Sequence, residues 1–173
     1  MLQKETACFS GHRPQNLYPL VKAGYDSLDN FRENVRGEIL KAIDMGYKSF
    51  ICGMAHGFDL ICGCLVAEIK AEAKFRDIQL VAAMPFPEHG FSSPWSVPHQ
   101  LVLSNADKVE IVGPAFSKNA YLERNRFMVD RSSLLICYFD GLPGGTKHTV
   151  KYALEKQLKI INLVSDKKDE TLE

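Results

Sequence analysis

The sequence predicts a doubly wound α/β domain, a mainly parallel sheet in three layers with helices on both faces. Three observations predict it. Short apolar runs of β type alternate with helix-type periodicity along the chain. Several of those runs are apolar on consecutive positions, as in strands covered on both faces. Glycine-bearing turns follow three of the runs, and ligands of open parallel sheets sit beyond the carboxyl ends of strands.

The elements follow in order. Thr6-Ala7-Cys8-Phe9 opens the sheet, and the segment from Pro14 to Asn30 reads as a long loop, either a functional cover or a partly ordered flap. Phe31 to Met45 reads as a helix, with Phe31, Val35, Ile39 and Ile43 on one stripe and Gly46 as its stop. Ser49 to Cys52 is the second strand, and Phe58 to Lys74 a helix with Ile61, Leu65 and Ile69 in register. The third strand is Ile78 to Ala83. Phe91 to Ala106 is ambiguous, because Pro94 and Pro98 interrupt its first half. Lys108 to Val112, Leu134 to Phe139 and Lys159 to Leu163 supply three more strands, with helices at Tyr121 to Ser132 and Thr146 to Gln157 between them. One domain over residues 6–164 is expected, followed by a charged tail over 165–173.

Composition narrows the function classes. With 173 residues and 46% apolar content the chain can bury a single substantial core. No run approaches the roughly 18 apolar residues of a membrane span, and Met1-Leu2-Gln3-Lys4-Glu5 lacks a signal peptide's apolar stretch. A soluble, cytoplasmic protein is expected. The 21 basic and 21 acidic side chains balance, so nucleic acid is not the expected partner. Cys8, Cys52, Cys62, Cys64 and Cys137 form no C-x-x-C pair and sit mostly in apolar runs, as buried thiols of a reducing compartment do. His12, His56, His89, His99 and His148 lack paired ligand spacing, so no metal site is expected.

Three strand ends carry the candidate site. After the first come Ser10, Gly11, His12 and Arg13: the glycine allows close backbone approach, and the arginine can fork two bonds to a phosphate or carboxylate. After the second come Gly53, Met54, Ala55, His56, Gly57, Phe58 and Asp59, two glycines straddling a strand-to-helix turn as in a phosphate cradle. Asp59 is read equally as a first-turn carboxylate favouring the helix dipole or as a ligand contact. After the fifth, Gly144 and Gly145 can leave amides open, while Thr146 can cap the next helix and reach a phosphate oxygen. Arg124, Asn125 and Asp130 share the helix entering that strand, facing either the site or solvent. Pro85, Phe86 and Pro87, with Phe91 and Trp95, supply either an apolar wall for a base or plain core. Neither a G-x-x-x-x-G-K-S/T phosphate loop nor a G-x-G-x-x-G fingerprint occurs, and no catalytic triad emerges.

Together F-S-G-H-R, C-G-M-A-H-G-F-D, R-N-R-F-M-V-D and P-G-G-T resemble the YpsA-like family of the SLOG superfamily, which also holds the LOG-type nucleotide phosphoribohydrolases and the DNA-processing protein DprA. The resemblance runs from about Thr6 to Leu163. It implies a Rossmann-like fold binding a nucleotide or an ADP-ribose-like derivative, with Gly11, Arg13, Gly53, Gly57, Asp59, Gly144, Gly145 and Thr146 around phosphates and sugar. LOG-type hydrolases carry P-G-G-x-G-T-x-x-E, whose glutamate serves base–sugar cleavage. In this chain Thr149 stands where that glutamate is expected.

The expected function is therefore a nucleotide-ligand sensor acting through a protein partner or a second copy of itself, with no cofactor assigned. The alternative is a LOG-type hydrolase of nucleoside phosphates or nucleotide sugars that uses another carboxylate, Asp59, Glu88 or Glu123. A DprA-like DNA-binding protein ranks third.

Overall fold

Six parallel strands carry the computed structural model, which describes residues 2–91 and 94–164. The strands are β1 (Thr6–Gly11), β2 (Ser49–Cys52), β3 (Gln79–Met84), β4 (Lys108–Ile111), β5 (Leu134–Tyr138) and β6 (Lys159–Asn162). The helices are α1 (Pro14–Gly24), α2 (Leu28–Asp44), α3 (Phe58–Ala71), α4 (Ser96–Asn105), α5 (Ala120–Asp130) and α6 (Gly145–Glu155). The spatial order β4-β3-β2-β1-β5-β6 leaves the chain outward from β1 in one direction and then restarts on its other side. Strand order thus reverses between β1 and β5, where Gly11 pairs with Tyr138 at the carboxyl ends. The fold is Rossmann-like and doubly wound, as expected.

Side-chain alternation sorts the core into two layers. Ala7, Phe9, Phe50, Cys52, Leu80, Ala82, Leu134 and Ile136 join a cluster with residues of α1, α2, α3 and α4. The intervening Cys8, Ile51, Val81, Ala83, Leu135 and Cys137 pack with Met128 and Val129 of α5 and Ala153 of α6. A period of two sends successive side chains to opposite faces. That is why β2 and β5 are buried at every position and read as unbroken apolar runs. All five cysteines are free and buried, and burial raises the Cys8 thiol to about 12.

The segment from Pro14 to Asn30 is not a loop. Pro14 takes the first position of α1, where its fixed φ suits a helix and its missing N–H costs nothing. Leu17 and Val21, one turn apart, are buried against the sheet. Pro19 lies inside the helix and hides the pattern from a sequence reading. Only Tyr25 to Ser27 separate α1 from α2, whose start is capped by Ser27 Oγ accepting from Asn30 N at 3.1 Å. The ambiguous region before β4 resolves into α4, which begins at Ser96, beyond Pro94. The charged tail lies outside the described residues. No described helix is long and apolar enough to cross a membrane.

Candidate functional site

The site is built from the outermost residues of β1 and β5 and the helices that begin beside them. At the end of β1, a Cβ on Gly11 would lie 2.5 Å from the Phe58 ring, so only glycine lets the first turn of α3 pack there. His12 is buried and its Nε2 donates to Asp140 Oδ1 at 2.8 Å, tying the β1 and β5 ends together across the reversal point. Burial opposes ionisation of Asp140, yet the Leu142 amide and His12 hold its carboxyl below the usual range. Arg13 is exposed, with its guanidinium 5.2 Å over the Tyr121 ring.

The turn after β2 shapes the floor. Met54 is fully buried at φ 61°, a left-handed conformation uncommon outside glycine. Gly57 has φ +95°, and a Cβ there would lie 2.6 Å from the His12 carbonyl oxygen. The next turn presents Asp59, which is 4% exposed and whose carboxylate lies by the Ala55 and Gly11 backbone. A Cβ on Gly53 would come within 2.7 Å of its Oδ2. Gly53 also accepts, through its carbonyl, a hydrogen bond from Arg124 Nη1 of α5. Arg124 is itself buried, and its Nε donates to Asn125 Oδ1 at 2.7 Å. Burial pushes Asp59 up to about 6, although Arg124 and Arg13 pull the other way. Burial likewise lowers Arg124, against the attraction of Asp59. The floor is thus a desolvated acid beside a desolvated base.

The third wall is the start of α6. Gly144 has φ +148°, and a Cβ on either Gly144 or Gly145 would meet nothing within 4 Å. The first turn holds no acidic residue and no side chain caps it. Its amide donors therefore remain available at the positive end of the helix, the arrangement that binds anions. Thr146 is buried beside them.

These walls enclose a cavity of about 180 Å³ lined by Ser10, Gly11, His12, Arg13, Gln15, Asn16, Ala55, Asp59, Tyr121, Arg124, Asn125, Pro143, Gly144, Gly145 and Thr146. A second cavity of about 430 Å³ shares His12, Gln15, Asn16 and Pro143 with it and continues along α1 past Pro19, Leu20 and Leu142. The first alone is smaller than the roughly 300 Å³ at which drug-sized ligand sites begin. The second adjoins it and adds space along α1.

Of the residues expected from sequence, eleven line the first cavity. Gly53, Met54 and Gly57 do not, but they fix the backbone beneath Asp59 and Arg13. Two expectations are corrected. Asp130 is exposed, accepting from Tyr152 Oη at 2.8 Å, with Lys156 Nζ at 3.5 Å. It lies six residues beyond Arg124, a rotation of about 240° along a helix that carries it to another face. Pro85 lies outside the cavity lining, and its carbonyl accepts from Gly113 N at 3.0 Å. The aromatic segment after β3 forms a cluster around His89, with Phe86 at 5.4 Å, Tyr121 at 5.7 Å and His99 at 5.9 Å between ring centres. Burial drives His89 down to about 3. Trp95 stacks on His56 at 6.3 Å. Only Tyr121 of this cluster reaches the cavity. It was missed, with Gln15 and Asn16, because none belongs to a glycine motif, whereas Pro143 opens the P-G-G-T run. Thr149 is buried, with its Oγ1 donating to Gly145 O at 3.1 Å, and does not line the cavity. Among the described residues no group of three or more His, Cys, Asp or Glu could hold a metal ion.

A family model described as the YspA SLOG family (YpsA) matches residues 7–166. Among solved structures, DNA processing protein A (DprA) from Streptococcus pneumoniae aligns with a TM-score of 0.62 at 14% identity, over 96% of this chain and 52% of that one. DNA processing protein A from Helicobacter pylori, described for its single-stranded DNA binding mode, aligns with a TM-score of 0.54 at 17% identity, over 91% and 64%. This chain therefore spans between half and two thirds of those proteins, and identities so low show a shared fold. Curated proteins give no match. On the family model, which spans all three strand ends of the site, the chain belongs to the YpsA family of SLOG proteins.

Proposed function

We propose that the protein binds a nucleotide or nucleotide derivative at the β1–β5 reversal point and acts as a ligand sensor through a partner. One observation carries this reading: the cavity joins the open start of α6 at Gly144 and Gly145 with Arg13 and with the Asp59 carboxylate. Amides and a guanidinium suit phosphate oxygens. A buried carboxylate at the floor suits sugar hydroxyls, the role an acidic residue plays toward ribose in dinucleotide folds.

A second reading, hydrolysis of a nucleoside phosphate or nucleotide sugar, is favoured by Asp59 itself. A carboxyl pushed up to about 6 at the floor of a cavity is poised for proton transfer near neutral pH. Glu88 and Glu123 are both exposed and outside the cavity lining, which leaves Asp59 of the three candidate carboxylates.

Titration calorimetry with AMP, ADP and ADP-ribose, with chromatography of each mixture for released base, separates the two. Saturable binding without released base supports the sensor. Base release by the wild type that Asp59→Asn abolishes replaces it with the hydrolase. Absence of binding to every ligand, together with salt-sensitive retention on single-stranded DNA, would sink both readings in favour of nucleic acid.

A further inference from the structure

The two edges of the sheet are finished differently. At the β6 edge, Ile160 and Ile161 are half-buried against the two core clusters. At the β4 edge, Val109 is 45% and Ile111 51% exposed, on the face they share with Ala82 and Met84. An edge strand that offers unpaired backbone and bare β-branched side chains is a template for another strand.

Backbone direction strengthens the case. Val112 N donates to Met84 O at 2.9 Å. Alternation along the strand then points the peptide groups of Lys108 and Glu110 toward β3. Those of Val109 and Ile111 point outward from the sheet.

We propose that β4 pairs antiparallel with β4 of a second copy about a two-fold axis at Val109, giving one continuous twelve-stranded sheet. Charge complementarity selects both the partner and the register. With the axis at Val109, the two Val109 residues exchange outward peptide bonds. Lys108 faces Glu110 of the second copy, and Glu110 faces its Lys108, so both pairs attract. An axis at Lys108 would oppose two lysines, and an axis at Glu110 two glutamates. A shift by half a step would oppose valine to glutamate across one face. Within one chain Lys108 and Glu110 already form an ion pair on the face opposite Val109, so dimerisation extends it into a four-charge cluster. The lysine that would protect this edge from indiscriminate pairing thus becomes a selector for the protein's own copy.

The test is the oligomeric state of the full chain by analytical ultracentrifugation across a concentration series, with melting temperature followed in parallel. The wild type is expected to dimerise. Lys108→Glu and Glu110→Lys each oppose like charges twice and should raise the dimer dissociation constant on the order of tenfold or more, without altering the fold. The double variant Lys108→Glu/Glu110→Lys restores both attractions and should dimerise like the wild type. A monomeric wild type overturns the proposal. So does a single variant that dimerises normally, or a double variant that stays dissociated while folded. Nucleotide binding by a monomeric wild type would leave the ligand reading standing while the edge pairing fails.

Discussion

Gly57→Ala tests whether the turn after β2 is fitted to the β1 end that carries Arg13. Gly57 sits at φ +95° and ψ −126°, a region that side chains with a Cβ rarely occupy. The new methyl would lie 2.6 Å from His12 O, 3.1 Å from Arg13 Cα and 3.1 Å from Pro14 Cδ. These neighbours are backbone and a proline ring, so none can rotate away. The His12 carbonyl also accepts from Phe58 N at 3.2 Å, and displacing it weakens that bond. Backbone strain costs about 1–3 kcal/mol, and overpacking costs about 1–3 kcal/mol more. At roughly 2–4 °C per kcal/mol for a chain of this size, melting should fall by about 4–24 °C. Gly141→Ala is the control, because its φ is +87° and a Cβ there meets nothing within 4 Å. It carries the strain without the collision. Differential scanning calorimetry of both variants, with AMP titrations, isolates the steric part. If Gly57→Ala melts no lower than Gly141→Ala and binds AMP normally, the close fit of this turn to Arg13 is refuted.

Arg13→Ala removes an exposed charge-assisted contact and should weaken AMP binding by about 1.5–3 kcal/mol, roughly 10- to 150-fold. Its melting temperature should stay unchanged, and calorimetry showing unaltered affinity would exclude Arg13 from the site. Asp59 is held up to about 6, so its contribution to stability is fully present below about pH 4 and is lost as pH rises through 6. The melting-temperature difference between wild type and Asp59→Asn should therefore move against the wild type from pH 4 to pH 7; a flat difference would contradict the burial argument. Thr149→Glu should not create a hydrolase. Position 149 is 1% exposed and off the cavity, so the carboxylate is buried unpaired and the protein loses several kcal/mol of stability. A folded variant that releases base from AMP would reverse that conclusion.

Strands and central helices were legible because burial on both faces writes unbroken apolar runs, and because Phe31, Val35 and Ile39 of α2 repeat at helical spacing. Helix α1 was illegible because two prolines masked a stripe of only two buried residues, Leu17 and Val21. Within the site, glycine turns announce themselves through local chemistry. Tyr121 does not, since its place beside the Arg13 and Arg124 guanidiniums arises only when α5 docks on the sheet. For Asp59 the sequence left helix-dipole and ligand readings level. Its burial in the lining of the cavity is a product of tertiary packing, which no local pattern announces.

The distribution of charge within the cavity explains how one small site could hold a phosphate without being a general anion trap. Arg13 and the start of α6 at Gly144 and Gly145 are exposed, and so lie on the solvent side of the cavity. Asp59 lies at the floor, and a phosphate driven against it would meet a like charge or force it to take up a proton. An inorganic anion can use only the rim. A sugar phosphate can place its anion on the rim and its hydroxyls against the floor, where the carboxylate accepts them and Arg124 offsets its charge. Discrimination of that kind needs no catalytic group. It needs Asp59 to remain a desolvated acceptor, and Gly53, whose Cβ would press within 2.7 Å of the carboxylate, is the residue that keeps the space for it.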